Sequence, residues 1–216
     1  AGLITGAGRL SLTGTGTQSL LSGNAYTGGT TIAGGVLVAD NASGSATGSG
    51  NVTVGTGGRL AGGGMIDLGD GNAVTISSMA ALAPGSLSVL DDTLTIGSSG
   101  SPNDVIIEAD GSLLSTLDNA GGAGLLEVHG DLVLDPDAIL ALDNAGGLSG
   151  NYMLATADGI SGSFSSVYFN NVLVPDPFAI GAFGGTHNLL LTGTQIMVVP
   201  EPASLVMLAG AVPLLA

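Results

Sequence analysis

The chain has 216 residues, of which 39 are glycine and none is cysteine, and its 17 acidic and 2 basic side chains give a formal net charge of −15. Mean hydropathy is nevertheless positive at +0.56, so the chain carries enough apolar surface to fold rather than stay disordered. The lack of Cys excludes disulfides, zinc–thiolate sites and thiol nucleophiles, and two basic residues cannot neutralise a phosphate backbone, so no nucleic-acid partner is expected.

Charged residues make up only 9% of the chain, against about 25% in an ordinary domain. The surface must therefore consist largely of Ser, Thr, Asn and Gly. This composition is typical of secreted and cell-surface β proteins, and the length suits one domain with a tail.

A motif rich in Gly and Thr lies near the N-terminus, within residues 10–40. Residues 23–37 read Gly-Asn-Ala-Tyr-Thr-Gly-Gly-Thr-Thr-Ile-Ala-Gly-Gly-Val-Leu. This segment resembles the autotransporter-associated β-strand repeat, and the residues that match the pattern of that family in register are Tyr26, Gly28, Thr30, Ile32, Gly35 and Leu37. The resemblance implies a right-handed β-helix segment at or beyond the cell surface. Tyr26 itself is expected to pack at a corner of the fold rather than to bind a ligand.

A sequence pattern, apolar-x-apolar-x-x-x-small-x-Leu, recurs along the middle of the chain. Its four copies start 22, 31 and 27 residues apart, and they are residues 52–60, 74–82, 105–113 and 132–140. Each copy begins with a short β-favouring run that is too brief for a helix and predicts a strand. The longest step contains an additional predicted strand, residues 94–96. A second, shorter sequence similarity relates residues 117–122 to residues 142–147, with a step of 25 residues.

Repeats of this length, with two or three short strands in each, predict a parallel β-helix. One repeat cannot bury its own apolar face, whereas repeats stacked about 4.8 Å apart pair every strand with its neighbours. Such a stack would place one leucine of each copy in an interior ladder of Leu60, Leu82, Leu113 and Leu140. We therefore expect an all-β fold with a right-handed parallel β-helix, or solenoid, over residues 1–149. The alternative is an antiparallel sandwich or meander in which the similarity of the segments is accidental.

The sequence changes character from residue 150 onward, where the repeat stops and large aromatic side chains gather. A solenoid needs a cap over its open strand edges, and bulky residues at one end suit that role better than a binding platform. Residues 150–198 are therefore predicted to form cap strands, and their aromatic residues are Tyr152, Phe164, Tyr168, Phe169, Phe178 and Phe183.

The chain ends in a proline-punctuated motif, formed by Val199, Pro200, Glu201 and Pro202, and an uncharged apolar stretch that begins at Ser204. This order resembles the PEP-CTERM sorting signal. The resemblance implies recognition by an exosortase-type processing enzyme, export, and transient contact of a short apolar tail helix with the inner membrane. The stretch from Ser204 would span about 20 Å as a helix, short of a roughly 30 Å hydrocarbon core. Because the basic cluster of the family is also missing, residues 199–216 are expected to be a truncated copy of the signal.

Catalytic chemistry is not expected. Glycosidases need two carboxylates that face one groove, and the candidate pairs are Asp91 with Asp92 and Asp135 with Asp137. Adjacent strand residues point to opposite faces, and a proline inside the second pair indicates a corner. A lyase would also need a cation, and the basic candidates are Arg9, Arg59, His129 and His187. We therefore predict no catalytic residue and no cofactor.

Metal binding is not expected either. Residues 62–67 carry Met65 where a calcium-binding nonapeptide has Gly. Carboxylates in the loop of residues 67–72 and the turn of residues 135–137 could hold Ca²⁺ weakly, but solvated corner carboxylates are the simpler interpretation.

Together these features predict a non-enzymatic exported protein of the outer surface or extracellular matrix of a Gram-negative-type bacterium. Its role would be structural or adhesive, extracellular polysaccharide would be a further partner, and its working surface would be a polar flank of stacked Ser, Thr and Asn. Two alternatives stay open. One is a carbohydrate-binding or polysaccharide-cleaving β-helix module that uses Tyr26, Tyr168 or Asp135, and the other is an autotransporter passenger segment.

Overall fold

The computed structural model describes residues 2–85, 92–144, 146–179, 181–183 and 185–200. Within these residues the fold is all-β and contains no helix. Short runs of β-branched and apolar residues between Gly, Asn and Ser explain this, because such runs fit a pleated sheet. The strands of the described residues are β1 (Thr5–Gly6), β2 (Leu10–Leu12), β3 (Thr17–Leu20), β4 (Ala25–Tyr26), β5 (Thr30–Ile32), β6 (Gly35–Ala39), β7 (Val52–Val54), β8 (Gly58–Gly62), β9 (Met65–Ile66), β10 (Ala73–Ile76), β11 (Ala81–Pro84), β12 (Thr93–Ile96), β13 (Asp104–Ile107), β14 (Ser112–Leu117), β15 (Leu125–Leu134), β16 (Ile139–Asn144), β17 (Tyr152–Gly162), β18 (Ser166–Phe169), β19 (Val172–Val174), β20 (His187–Leu191) and β21 (Gln195–Pro200).

Most strands belong to two large sheets. An 11-stranded sheet contains β2, β5, β7, β10, β13, β15 and β17 in that spatial order, and an 8-stranded sheet contains β3, β6, β8, β11, β14, β16 and β18. Each of these strands pairs in parallel with the next one in its sheet. From β2 to β18, successive strands therefore alternate between the two sheets, apart from β4, β9 and β12. Strands β1 and β4 form a separate two-stranded sheet.

The strand register follows the sequence repeat. The first residues of the four copies pair in the order Val52, Val74, Val105 and Leu132. The last residues pair in the order Leu60, Leu82, Leu113 and Leu140, and all four leucines are fully buried. The predicted interior ladder is thus confirmed.

Both large sheets contribute to one apolar core. Along β14 and β16 the side chains alternate between buried and more exposed, because successive residues of a strand point to opposite faces. The inward residues of both sheets are mostly Val, Ile and Leu, and they form a single cluster. Each fully buried aliphatic side chain stabilises the fold by about 1.5–3 kcal/mol relative to an exposed one.

The long strand β15 bends and so admits the additional strand predicted from the sequence. Gly130 has a φ of 144°, and a Cβ at this position would overlap the backbone carbonyl of Asn103. Residues of β15 before the bend pair with β12, and residues after it pair with β13. The predicted strand at residues 94–96 is therefore confirmed as β12, which extends the 11-stranded sheet and also pairs with β9.

The C-terminal end of the sheets differs from the rest. Parallel pairing continues past residue 149 through β17 and β18, and antiparallel pairing begins with β19, β21 and β20. Tyr152 and Phe183 are fully buried at this end, and Phe183 packs edge-to-face against Phe169 with 5.6 Å between the ring centroids. Phe178 is 48% exposed, so not every aromatic residue of this region belongs to the core.

The short similarity between residues 117–122 and 142–147 does not set the strand register. Leu117 pairs with Asn144, and Leu142 pairs with Ser115. The leucine ladder determines the register of β14 and β16, because an offset would move buried side chains off their neighbours. Asn144 Nδ2 also donates a hydrogen bond of 2.9 Å to the carbonyl of Leu117 in this register.

Candidate functional site

A groove of about 690 Å³ crosses the outer face of the 8-stranded sheet. Its floor consists of outward-facing residues from β11, β14, β16 and β18, which are Ala81, Ser112, Leu114, Ile139, Ala141 and Tyr168. These residues are partly exposed, whereas the residues between them point into the core. The register aligns them in rows, because Ser112 pairs with Ile139 and Ala141 pairs with Tyr168. The sheet thus presents an apolar strip with one aromatic ring on its surface.

Corner residues with unusual backbone conformations form the rim of the groove. Met79, Asp110 and Asn171 have φ values of 57°, 60° and 61°. The amide of Gly57 donates to the carbonyl of Met79, and the amide of Met79 donates to the carbonyl of Asp110. Gly57, Met79 and Asp110 therefore lie at equivalent positions in neighbouring repeats. The left-handed conformation costs a residue with a Cβ roughly 1–2 kcal/mol, a cost that Gly57 avoids.

The rim adds polar groups to a floor whose own polar side-chain groups are the hydroxyls of Ser112 and Tyr168. Ser78, Asp110 and Asn171 offer a hydroxyl, a carboxylate and an amide, and Asp110 is the one charged side chain among the described residues that line the groove. A single carboxylate does not provide an acid/base pair. The arrangement suits a ligand that lays an apolar face on the floor and forms hydrogen bonds along its edges.

Two tyrosines were candidates for ligand contact, and the structure separates them. Tyr26 is 1% exposed, and its hydroxyl lies 2.6 Å from Thr30 Oγ1. Thr30 Oγ1 donates in turn to the carbonyl of Thr47, so the Tyr26 hydroxyl is the donor to Thr30. Burial raises the pKa of Tyr26, an effect that the hydrogen bond with Thr30 partly offsets. A ligand cannot reach Tyr26, and the alternative in which it binds carbohydrate is wrong, whereas Tyr168 lies on the groove floor.

The structure describes one of the two carboxylate pairs considered from the sequence. Asp135 and Asp137 lie in the turn between β15 and β16, where Ala138 N donates to the backbone carbonyl of Asp135. Asp91 lies outside the described residues. Asp92 lies instead near Asp40, in a pocket of about 320 Å³ where Gly63 N donates to Asp40 Oδ1. Neither Asp135 nor Asp137 lines the groove on the 8-stranded sheet.

The loop considered for weak Ca²⁺ binding is held together by its own hydrogen bonds. Ser101 Oγ donates to Asp70 Oδ1 over 3.2 Å, and Asn72 Nδ2 donates to the carbonyls of Ser49 and Gly69. In the part of the chain that the structure describes, no group of three or more His, Cys, Asp or Glu side chains could hold a metal ion.

A polar flank occurs on the 11-stranded sheet. Ser11, Thr31, Thr53 and Thr75 pair in register and form a column of hydroxyl side chains across β2, β5, β7 and β10. Arg9 lies beside Thr31 and Thr53 in a polar groove of about 400 Å³. The column gives way to Ile106 on β13, so the predicted flank of stacked polar residues covers only the N-terminal half of this sheet.

Both histidines of the chain have interaction partners within the protein. His187 is buried, with Nδ1 2.8 Å from Thr186 Oγ1 and Nε2 donating to the carbonyl of Gly150 over 3.1 Å. His129 lies 4.0 Å from Glu127 at the surface of β15. Each histidine therefore has a partner that accounts for it without a substrate.

The rim residues Met79, Asp110 and Asn171 were missed at the sequence level. A signal existed for the first two, because Met79 and Asp110 occupy the place of Gly57 in the aligned copies. A non-glycine residue at a corner where another repeat has Gly indicates a strained backbone conformation, whose cost in stability other interactions must offset. The floor gave no such signal, since its residues come from four repeats.

The motif that resembles a sorting signal begins at the last described strand. Val199 and Pro200 are the final residues of β21, where Val199 is partly exposed and Pro200 is exposed. Glu201, Pro202 and the predicted tail helix lie outside the described residues. Among the residues that are described, no helix has the length and apolar character needed to cross a membrane.

Neither a protein-family model nor a curated protein matches this chain. Its function is therefore inferred from its residues and from the surfaces described above.

Proposed function

We propose that the chain is a segment of an exported, non-enzymatic surface or matrix protein, built as a right-handed parallel β-helix with a C-terminal β cap. The alternation of successive strands between two parallel sheets supports the β-helix, as does the fully buried ladder of one leucine per repeat. The antiparallel strands after β18 and the buried ring of Phe183 support the cap, because they cover edges that would otherwise attract other strands.

The proposed role is that of a stiff spacer or adhesive surface in the extracellular matrix. Every repeat contacts its neighbours along the stack, so the side chains at equivalent positions repeat at intervals of about 4.8 Å. The hydroxyl column of Ser11, Thr31, Thr53 and Thr75 is such a periodic surface.

The observation that carries the sorting proposal is the Pro200-Glu201-Pro202 sequence directly after the strand-forming Val199. An exosortase-type enzyme would recognise this motif while residues 203–216 contact the inner membrane, and the protein would then reach the outer surface or the matrix. A processing enzyme needs an accessible peptide, and the exposure of Pro200, the last residue of β21, supports such access.

The test is to express the full chain behind an export signal in a bacterium that has an exosortase and in its exosortase deletion strain. We expect mass spectrometry of the matrix fraction to show cleavage near residues 200–202 only in the first strain. Glu201→Ala should abolish processing, whereas Asp176→Ala, an acidic change outside the motif, should leave it intact. An uncleaved tail and an identical location of the protein in both strains would contradict the sorting proposal.

A further inference from the structure

We propose that the groove on the outer face of the 8-stranded sheet binds a neutral polysaccharide. This inference rests on the proposed function as a surface or matrix protein, where such polymers are present, and it adds the location of the contact. Four features of the groove carry it: a floor whose backbone is mostly engaged by neighbouring strands, an amphipathic lining, no Lys or Arg among the described lining residues, and a strained rim residue.

The floor restricts how an occupant can bind. Strand β16 pairs with β14 and β18, and β14 pairs with β16 along its whole length and with β11 at Ser112 and Leu113, so neighbouring strands engage most of the backbone beneath the floor. An extended peptide recognises a sheet through a free edge, which this floor does not offer. The occupant must therefore contact side chains.

The lining fits the two faces of a pyranose ring. The ring presents C–H groups on its faces, which can lie on Tyr168 and Ile139, and hydroxyl groups at its edge, which can reach Ser78, Asp110 and Asn171. The floor rows run across the strands, and strands follow one another at about 4.8 Å. This spacing is close to the length of one sugar unit in an extended hexose chain, so a linear polymer can lie across the four strands.

Charge selects a neutral polymer. Asp110 is the charged residue of the described lining, and the chain as a whole carries a formal charge of −15. An anionic polysaccharide would be repelled by both, and the described lining offers no Lys or Arg to bind its carboxylates.

Met79 is the strongest single indication that the rim has a role beyond folding. Its left-handed backbone is strained, its side chain is 69% exposed, and the equivalent corner in the preceding repeat is Gly57. Glycine would relieve the strain, so the methionine costs stability while it places a thioether beside an apolar floor. A contact between the Met79 side chain and a ligand explains why the backbone is strained here and why the side chain is exposed.

The experiment is native gel electrophoresis of the full chain in gels that contain hydroxyethylcellulose, galactomannan or dextran, with alginate as the anionic comparison. We expect at least one neutral polymer to retard the wild-type chain and alginate not to. Tyr168→Ala should weaken that binding about tenfold, whereas Tyr168→Phe, which keeps the ring, should retain most of it. Phe178→Ala, which removes an exposed aromatic ring outside the groove, is the matched control and should have no effect.

Met79→Gly separates binding from folding. It should leave the melting temperature unchanged or higher and yet weaken retardation, because it removes the strain and the side chain together. The proposal is overturned if no neutral polymer retards the wild type, if alginate retards it more strongly, or if Tyr168→Ala and Met79→Gly bind as the wild type does. Groove-dependent binding of 1-anilinonaphthalene-8-sulfonate without any polysaccharide binding would assign the groove to a purely apolar partner and also overturn it. Failure of exosortase processing would leave these gel results unaffected, so the two proposals can fail separately.

Discussion

Tyr26 and Tyr168 place the same phenol ring in opposite environments. The Tyr26 ring is enclosed and its hydroxyl donates to Thr30, whereas the Tyr168 ring lies on the floor of a surface groove. The position of Tyr26 in a Gly- and Thr-rich motif favoured corner packing, and its burial agrees with that interpretation. The environment of Tyr168 depends on three other strands, so the local sequence around it could not indicate a groove.

Replacing Tyr26 with Phe should destabilise the protein by about 0.5–1.5 kcal/mol at pH 7, because a buried hydrogen bond is lost while the ring stays in place. Tyr168→Phe, at the partly exposed position, should change the free energy of unfolding by less than about 0.5 kcal/mol. Urea denaturation of both variants measures the difference. Equal effects of the two substitutions would contradict a structural role for the Tyr26 hydroxyl.

The buried phenol of Tyr26 also makes the free energy of unfolding depend on pH, with a sign that can be predicted. Burial raises the pKa of Tyr26, so the folded state holds the phenol proton more tightly than the unfolded chain does. The resulting stabilisation is complete below the unfolded pKa of about 10 and is lost as the pH rises through the higher folded pKa. Stability of the wild type should therefore fall more steeply above about pH 10 than that of Tyr26→Phe.

At the scale of strands, the sequence repeat predicts register well because one face of each strand is buried. A shift by one residue would turn Leu82 and its equivalents from the core to the surface. The steps between copies vary from 22 to 31 residues, yet the turns absorb the difference and the ladders stay aligned. The pattern of inward residues, rather than the step length, therefore determines which strands pair.

The similarity between residues 117–122 and 142–147 does not predict strand pairing and the sequence did not indicate the groove, for a common physical reason. A local sequence match, such as the shared Leu-Asp-Asn-Ala-Gly-Gly, does not predict which residues pair when the neighbouring leucine ladder stabilises another register. The groove likewise depends on outward residues of four strands that become neighbours only after pairing. The bend at Gly130 is not encoded by residue periodicity, and the left-handed conformation of Met79 is indicated only by its alignment with Gly57.

Truncation of one leucine side chain of the interior ladder should show how strongly the ladder stabilises the fold. Leu82 is fully buried between Leu60 and Leu113, so Leu82→Ala should cost about 2–5 kcal/mol through lost burial and the cavity that results. Leu190→Ala removes a 39% exposed side chain from β20 and should cost much less. Chemical denaturation of the two variants provides the comparison, and similar losses would show that the ladder has no special role.

At the scale of the whole molecule, the contacts run along one direction. Each large sheet is a series of strands that pair with the strands before and after them, so a perturbation at one end reaches the other only through the intervening strands. The C-terminal end has its own aromatic packing, where the ring of Phe183 meets Phe169 while Tyr152 lies near His187 with 6.2 Å between ring centroids. Stability along the chain should therefore be uneven once this packing is lost.

Phe183→Ala tests this unevenness, because Phe183 is fully buried and its truncation should remove about 3–5 kcal/mol from the packing of the C-terminal strands. Hydrogen–deuterium exchange should then show early loss of protection in peptides from residues 150–200, while peptides from residues 30–62 keep theirs. Phe178→Ala, at a 48% exposed position in the same region, should leave both sets protected. If Phe183→Ala instead made all peptides exchange together, the stack would unfold as a single cooperative unit, and its terminal strands would be indispensable to every repeat rather than a local cover for the last ones.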